Sequence, residues 1–334
     1  MTLPINQIIR GDALRKLRKF PDGSVDMVIT SPPYWALRDY GVKGQLGLEK
    51  TFEEYIIKLC NIFDEAKRVL KNTGTCWVNL GDTYGGSNCG YGQTKQSSGF
   101  QNVTKQTYYP TSKMKPLATG IMEKCLLQIP FRFAIEMANR GWILRNVIIW
   151  WKPSCMPSSA KDRFTVDFEY MFFFVKKKKY WFEKQYEPLK ESSLSRARYG
   201  SYSLKTDKGI HGGMNLKNQL KVFEKINKGE LQGRNKRCVW RISTRPFKGS
   251  HFAVFPEDLV KTPIRAGCPE NGIVLDPFMG SGTTAVAAKR LGRNYLGIEL
   301  NPKYIKMAEK RIKAIPKISR RKNERIFKPG KTGI

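Results

Sequence analysis

The spacing of apolar positions along the chain assigns its first part to strands and helices. Val25–Thr30 is a short apolar run that ends at two adjacent prolines, a pattern typical of a buried strand. Apolar residues repeat at helical spacing over residues 51–70, and Thr51 precedes two glutamates in the manner of a helix N-cap. We expect this helix to be broken at Gly74 and followed by a strand in the sequence TCWVNLGD.

The second half of the chain repeats this alternation. IPFRFAIEMANRGW predicts a helix closed by Gly141, ILRNVIIWWK predicts a strand, and DFEYMFFFVKKKKYWF predicts two strands joined near its lysines. The last third predicts a helix over residues 256–266, the strands GIVLD and YLGIEL, and the helices TTAVAAKRLG and PKYIKMAEKRIKAI. Because strands and helices alternate at both ends of the chain, we predict an α/β fold with one mostly parallel sheet and helices on both faces.

Charge and composition narrow the range of partners. The chain has 334 residues, of which 40% are hydrophobic, enough for a large core. Lys+Arg number 60 against 28 Asp+Glu, giving a formal net charge of +32, so nucleic acid is the expected partner and an anionic membrane surface the alternative. No apolar run reaches transmembrane length and the N-terminus lacks a signal-peptide pattern, so we expect a cytoplasmic protein without a membrane partner.

The cysteines do not indicate a metal site. The 7 cysteines are scattered and only 2 histidines are available to join them, so the close pairs of a zinc module are missing. We expect free thiols in a reducing compartment and no metal.

A ligand site is predicted where two neighbouring strands end in acids. In GIVLDPFMGSGTTA a strand ends at Asp276, and a turn with Gly280 and Gly282 leads into a helix, the geometry that places a nucleotide-like ligand at the strand ends. The phosphate-loop lysine is absent and the dinucleotide fingerprint does not match. In YLGIELNP, Glu299 can accept hydrogen bonds from ribose hydroxyls. S-adenosylmethionine carries a ribose and cationic groups without a pyrophosphate, and it fits this pair of acids.

Seven segments together resemble the DNA amino-methyltransferases of the N4-cytosine and N6-adenine type. The segments are DPFMGSGTT, GIELNP, TSPPYW, GDAL, WVNLGDTY, IIWWKPSCMPSSAKDRFTVDFEYMFFFVK and HFAVFPEDLV. Their order is similar to that of the beta class, in which the catalytic motif precedes the cofactor motif. The resemblance covers residues 8–310 apart from two loop segments, and it implies the Rossmann-like fold of S-adenosylmethionine-dependent methyltransferases with a permuted motif order and a DNA-recognition insert.

The resemblance also gives the prolyl turn a catalytic role. The Ser31 hydroxyl and the Pro32 carbonyl would accept the two hydrogens of the exocyclic amine of a flipped-out base. Pro33 completes the turn, and Tyr34 would stack on the base. In this family a serine at the first motif position leans toward cytosine and an aspartate toward adenine. We therefore expect N4-cytosine methylation of DNA, with N6-adenine methylation as the alternative.

Further site residues carry over by their match to the family motifs. Those expected to bind S-adenosylmethionine are Asp12, Thr30, His251, Asp276, Phe278, Gly280, Gly282, Thr283, Glu299 and Asn301. Those expected to contact DNA are Trp35, Lys152, Lys161 and Arg163. For Asp12 and His251 a structural role is the alternative. Carbon-5 cytosine methylation is disfavoured because it needs a nucleophilic cysteine, characteristically one that follows a proline, and none of the cysteines has that setting.

The predicted organisation has four parts. A catalytic region, 1–182, contains a flexible loop at 83–115, and a target-recognition insert follows at 183–245. A cofactor-binding region of the same sheet spans 246–315, and a basic tail spans 316–334. The expected setting is restriction-modification or phage/host DNA modification. The expected partner is double-stranded DNA, joined in the first setting by a cognate restriction endonuclease that acts on the same site. An RNA methyltransferase and an inactive DNA-binding homologue are the remaining alternatives.

Overall fold

The computed structural model describes residues 3–85, 124–192, 194–195, 221, 224–226, 228, 233–244 and 255–316. In chain order the elements are β1 (Gln7–Arg10), α1 (Ala13–Leu17), β2 (Val25–Thr30), α2 (Phe52–Val69), β3 (Leu70–Leu80), α3 (Ile129–Asn139), β4 (Ile143–Trp151), β5 (Phe168–Val175), β6 (Tyr186–Glu187), β7 (Arg234–Asn235), β8 (Val239–Arg241), α4 (Glu257–Gly267), β9 (Ile273–Asp276), α5 (Thr283–Arg290), β10 (Asn294–Glu299) and α6 (Pro302–Lys313).

Within these ranges, eight strands form one sheet in the order β1-β10-β9-β2-β3-β5-β4-β8. The first five strands in this order, from β1 through β10, β9 and β2 to β3, are all parallel. Strand β5 runs antiparallel to both β3 and β4, and β8 is parallel to β4. At the centre of the sheet β2 pairs with β9, where Met27 lies opposite Val274 and Val28 opposite Leu275. The two ends of the chain therefore share one mostly parallel sheet, and the predicted fold class is confirmed.

Helices cover both faces of the sheet and give it two hydrophobic cores. One core contains residues of α1, α2 and α3, among them the fully buried Tyr55, Phe63 and Phe133. The other contains residues of α4, α5 and α6, among them Ile264 and Ala285. A parallel sheet with both faces covered is the arrangement expected for strands that are apolar along their whole length.

Helix α2 begins as its sequence predicts and ends differently. Thr51 Oγ1 accepts a hydrogen bond from the Glu54 N–H at 3.2 Å, which confirms the N-cap. Strand β3 starts directly at Leu70 and continues through Gly74, so the expectation that Gly74 ends the helix is wrong. A Cβ at Gly74 would lie 2.5 Å from the Leu70 side chain and 2.9 Å from the Asp26 carbonyl oxygen. The glycine is explained by close packing within a strand.

The apolar run of residues 167–182 forms one strand where two were expected. Strand β5 ends at Val175, and the described chain forms no second strand between there and Phe182. Instead, the rings of Tyr180 and Phe182 pack against Phe173, each with a centroid distance of 5.8 Å. The aromatic residues beyond the lysines are therefore explained by ring packing on the sheet face.

Parts of the predicted domain organisation lie outside the described residues. This applies to most of the loop 83–115, to much of the insert 183–245 and to nearly all of the tail 316–334. Of the insert, β6 pairs with β7, and β8 extends the main sheet. Among the helices that the structure describes, none has the length and apolar character needed to cross a membrane.

A buried hydrogen-bond pair that joins α4 to β3 gives a test of the fold. Thr75 Oγ1 donates to the Gly267 carbonyl oxygen at 2.8 Å and accepts from Trp77 Nε1 at 3.0 Å. We expect Thr75→Val to lower the free energy of unfolding by about 1–3 kcal/mol, because it leaves both partners buried without a hydrogen bond. Urea denaturation measures the change. Thr73→Val, the same substitution at an exposed position of β3, is the control and should change it by no more than about 0.5 kcal/mol. Equal effects of the two substitutions would contradict this role of Thr75.

Candidate active site

A cavity of about 450 Å³ opens at the carboxyl ends of the central strands. Its walls include residues 11–14 after β1, Ser31 and Pro33 after β2, residues 277–281 after β9 and residues 300–301 after β10. In open α/β sheets ligands bind at this edge. The structure therefore brings the prolyl turn and the predicted ligand motif to one cavity, although they are far apart in the sequence.

Asp276 organises the floor of the cavity from a fully buried position. Its Oδ1 accepts hydrogen bonds from Thr30 Oγ1 at 2.6 Å and from the Phe278 N–H at 3.0 Å, and its Oδ2 accepts from Thr284 Oγ1 at 2.6 Å. Burial raises the pKa of Asp276 to about 6, and the hydrogen bonds from Thr284, Thr30 and Phe278 oppose that rise. Asp276 and Thr30 lie beneath the cavity wall, so they hold the adjoining turns in position.

The glycine turn that follows β9 depends on two left-handed residues. Gly280 has φ 54° and its N–H donates to Glu299 Oε2 at 2.7 Å, which ties the turn to the end of β10. Gly282 has φ 83°, and a Cβ there would lie 2.6 Å from the Cβ of Ala308 on α6. Gly280 and Thr283 line the cavity, whereas Gly282 is needed for the packing of the turn against α6.

Glu299 presents a carboxylate at the end of β10. Besides Gly280, it accepts from the Asn301 N–H at 2.7 Å through Oε1, and the Asn301 side chain in turn caps α6 by accepting from the Lys303 N–H at 3.0 Å. Burial raises the pKa of Glu299, and hydrogen bonds from the backbone oppose the rise. A carboxylate has about four acceptor positions, so after these two bonds Glu299 can still accept from a ligand hydroxyl.

Other lining residues differ in how well the sequence predicts them. Phe278 and Asp12 both line the cavity, and Asp12 also caps α1 by accepting from the Arg15 N–H at 2.9 Å, so its structural and binding roles are compatible. Tyr40 and Tyr304 also line the cavity, and their rings contact each other edge to face with a centroid distance of 6.2 Å. Neither tyrosine could be predicted as a lining residue from the sequence, because neither lies in one of the family-like segments. His251 falls outside the described residues.

The prolyl turn and the tyrosine that follows it are held by side-chain hydrogen bonds. Tyr55 donates from its hydroxyl to the Pro33 carbonyl oxygen at 2.8 Å, and the Tyr34 hydroxyl donates to Glu169 Oε2 at 2.7 Å. The Ser31 hydroxyl lies 3.4 Å from the Tyr34 hydroxyl. Burial and the neighbouring Glu169 carboxylate raise the pKa of Tyr34 well above its ordinary value, so the phenol keeps its proton. Ser31 and Pro33 face the cavity, where a substrate group could meet a bound ligand.

The residues expected to contact DNA fall into two groups. Trp35 is only 2% exposed; its Nε1 donates to the Glu49 carbonyl oxygen at 3.1 Å, so the expectation that it contacts DNA is contradicted by its place in the core. The Lys152 side chain is about one-fifth exposed and forms an ion pair with Glu169, so its charge already has a partner within the protein. Lys161 and Arg163 are exposed, with the Arg163 guanidinium 3.7 Å from the ring centroid of Tyr84.

Comparison with known proteins gives the family of the chain. A family model described as DNA methylase matches residues 25–310. The type II methyltransferase M.Cfr9I of Citrobacter freundii is 38% identical over 305 residues, which cover 91% of this chain and 87% of the relative. M.SmaI of Serratia marcescens is 38% identical over 306 residues, which cover 92% of this chain and 90% of the relative.

Solved structures agree with this assignment at the level of the fold. The structure of PvuII DNA methyltransferase (cytosine-N4-specific) aligns with a TM-score of 0.59 and 21% identity, covering 95% of this chain and 89% of that one. The complex of M1.HpyAVI with S-adenosylmethionine aligns with a TM-score of 0.52 and 19% identity, covering 92% and 98%.

The donor set of the cavity fits this cofactor. Glu299 offers acceptor positions to ribose hydroxyls, Phe278 and Ile298 give apolar walls, and no phosphate-binding lysine is required. The predicted family and cofactor are thus confirmed. The chain belongs to the DNA methylase family and is a DNA methyltransferase whose cofactor is S-adenosylmethionine.

Proposed function

We propose that this enzyme methylates the exocyclic N4 amine of cytosine in double-stranded DNA, within a type II restriction-modification setting. The observation that carries the proposal is the position of Ser31, which opens the prolyl turn and lines the same cavity as the cofactor motifs. Serine at this position leans toward cytosine in the family that the motifs resemble. The PvuII DNA methyltransferase, which has the same fold, is a cytosine-N4-specific enzyme.

The chemistry requires the chain to make a poor nucleophile reactive. The lone pair of an exocyclic amine is delocalised into the base, and hydrogen-bond acceptors that draw the nitrogen toward tetrahedral geometry localise it. Ser31 Oγ and the Pro32 carbonyl oxygen are the acceptors in this proposal, and no described residue donates a hydrogen bond to that carbonyl. The target base must be rotated out of the duplex, at a cost of a few kcal/mol, and Tyr34 is the ring on which it would stack.

The cofactor side of the cavity places the second reactant. When bound, S-adenosylmethionine supplies an electrophilic methyl group on its sulfonium sulfur. We assign its ribose hydroxyls to Glu299 and the rest of its contacts to Asp12, Phe278 and the turn 277–283, with Asn301 fixing the end of β10. Asp276 and Thr30 support that turn from below. Holding both reactants at one strand edge makes their encounter effectively unimolecular.

DNA contacts are proposed for the exposed cations near this edge. Lys161 and Arg163 are suited to phosphate oxygens, and the net charge of +32 favours a polyanion generally. The segment 183–245 is proposed to read the target sequence. A cognate endonuclease that cuts the same sequence is the partner that a type II setting would supply.

Nucleoside analysis tests the proposed base directly. The protein is incubated with S-adenosylmethionine and unmethylated genomic DNA, the DNA is digested to nucleosides, and methylated products are identified by mass spectrometry. We expect N4-methylcytosine, which should be absent when S-adenosylmethionine is omitted. N6-methyladenine would overturn the assignment from Ser31 but keep the reaction type. Methylation of tRNA in a parallel reaction, with none in DNA, would replace the substrate class.

The ribose assignment can be tested by binding alone. We expect Glu299→Gln to weaken S-adenosylmethionine binding by about 10- to 100-fold, because hydrogen bonds to a charged acceptor contribute about 1.5–3 kcal/mol. Titration calorimetry without DNA measures the affinity. Glu309→Gln, the same substitution at an exposed position of α6, serves as the control and should leave the affinity unchanged. An unchanged affinity in Glu299→Gln would remove Glu299 from the site.

A further inference from the structure

Three oxygen-bearing side chains form a row that leads away from the cavity. The Ser31 hydroxyl at the cavity wall lies 3.4 Å from the Tyr34 hydroxyl, and the Tyr34 hydroxyl lies 2.7 Å from Glu169 Oε2 on β5, which is separated from β2 by β3. The Tyr34 ring packs closely against the backbone at Gly81. A side chain at that position would not fit, because its Cβ would lie 2.8 Å from the ring. The row joins the proposed amine acceptor to a carboxylate that lies in one of the seven family-like segments but for which the sequence predicts no role.

The carboxylate gives this row one direction. A carboxylate only accepts hydrogen bonds, so the Tyr34 hydrogen points to Glu169. The other group near the phenol is Asn79 Oδ1 at 3.3 Å, also an acceptor, since the Asn79 Nδ2 is occupied by donating to the Tyr170 carbonyl oxygen at 3.0 Å. The phenol oxygen is then left to accept from Ser31. The hydrogen of the Ser31 hydroxyl then points away from the cavity. The lone pairs of the Ser31 oxygen remain to accept hydrogen bonds from the substrate amine.

Glu169 is itself fixed in place. Lys152, directly after β4, forms an ion pair with its Oε1, and both side chains are 18% exposed. The Lys152 ammonium also lies 4.6 Å from the ring centroid of Trp150, which is paired with Glu169 across β4 and β5. This partly buried ion pair, with its cation over an aromatic ring, holds the Glu169 carboxylate in a defined position.

This polarity matters because serine is ambiguous. A hydroxyl can donate as well as accept, and a Ser31 that donated to the amine nitrogen would occupy the lone pair that must attack. A carboxylate at this position would have no such ambiguity. The Ser31 side chain therefore needs a partner that takes its hydrogen.

We propose that Glu169 is a positioning residue that acts through Tyr34 to hold Ser31 as a hydrogen-bond acceptor toward the target amine. The inference rests on the proposed function, since it takes Ser31 as the acceptor of the amine hydrogens. Glu169 touches neither the base nor the cofactor. Its substitution affects the rate of methyl transfer and leaves the binding of both reactants intact.

A double-mutant cycle tests this role. Single-turnover methyl transfer to unmethylated genomic DNA, with S-adenosylmethionine saturating, is measured for the native protein, Glu169→Gln, Tyr34→Phe and the double variant. We expect each single variant to be slower by about 10-fold or more, as for loss of a group that orients a reacting side chain. The double variant should be no slower than the slower single variant, because both substitutions break one row.

Binding and stability measurements separate positioning from a structural role. In Glu169→Gln the dissociation constants for S-adenosylmethionine and for DNA should stay within about twofold of the native values, since Glu169 contacts neither reactant in this proposal. The unfolding midpoint should fall because Lys152 loses its charged partner, but it should stay above the temperature of the rate measurements. Glu309→Gln, the same substitution at an exposed position of α6, is the control and should leave the rate unchanged.

Two results would overturn the inference: a native rate in Glu169→Gln, or effects of the single variants that multiply in the double variant. The product of the native protein is identified in the same reactions. N6-methyladenine as that product would refute the proposed base while the cycle still decides the role of Glu169. A native protein that methylates no DNA base would overturn the proposed function and this inference together.

Discussion

The active edge of this enzyme depends on a buried hydrogen bond between two residues that are 246 positions apart. Thr30 at the end of β2 donates to Asp276 at the end of β9, and these two strands are neighbours at the centre of the sheet. Asp276 is fully buried, and its carboxylate also accepts hydrogen bonds from the Thr284 hydroxyl and from the Phe278 N–H. The bond therefore fixes the prolyl turn and the glycine turn relative to each other.

The arrangement of the reactants follows from that contact. The glycine turn is tied to β10 through the bond between Gly280 and Glu299, and the prolyl turn is tied to β5 through the bond between Tyr34 and Glu169. In the proposed function, a cofactor at the glycine turn and a flipped base at the prolyl turn are then held by neighbouring strands of one sheet. Methyl transfer needs no covalent intermediate in this account, so most of the catalytic effect comes from orientation and from well-placed acceptors.

The sequence predicted the features that are encoded locally. A strand that ends in an acid before a glycine turn identifies Asp276 and Gly280 without knowledge of the fold, and the cap at Thr51 needs only its neighbours. Features set by contacts between distant segments could not be predicted in this way. Glu169 gains its role from Tyr34, and Trp35 is buried because Glu49 and α2 cover it, although an aromatic residue beside a catalytic motif equally suggests an exposed stacking surface.

Hydrogen exchange of the protein with and without S-adenosylmethionine tests the central claim, that segments from both ends of the chain form one cofactor site. The account predicts slower amide exchange on cofactor binding in residues 277–283 and 299–304 from one end and in residues 11–14 and 31–47 from the other. Residues 239–241, at the far edge of the sheet, should be unaffected. Protection confined to residues 277–304, with none in the N-terminal segments, would contradict a site shared across the centre of the sheet.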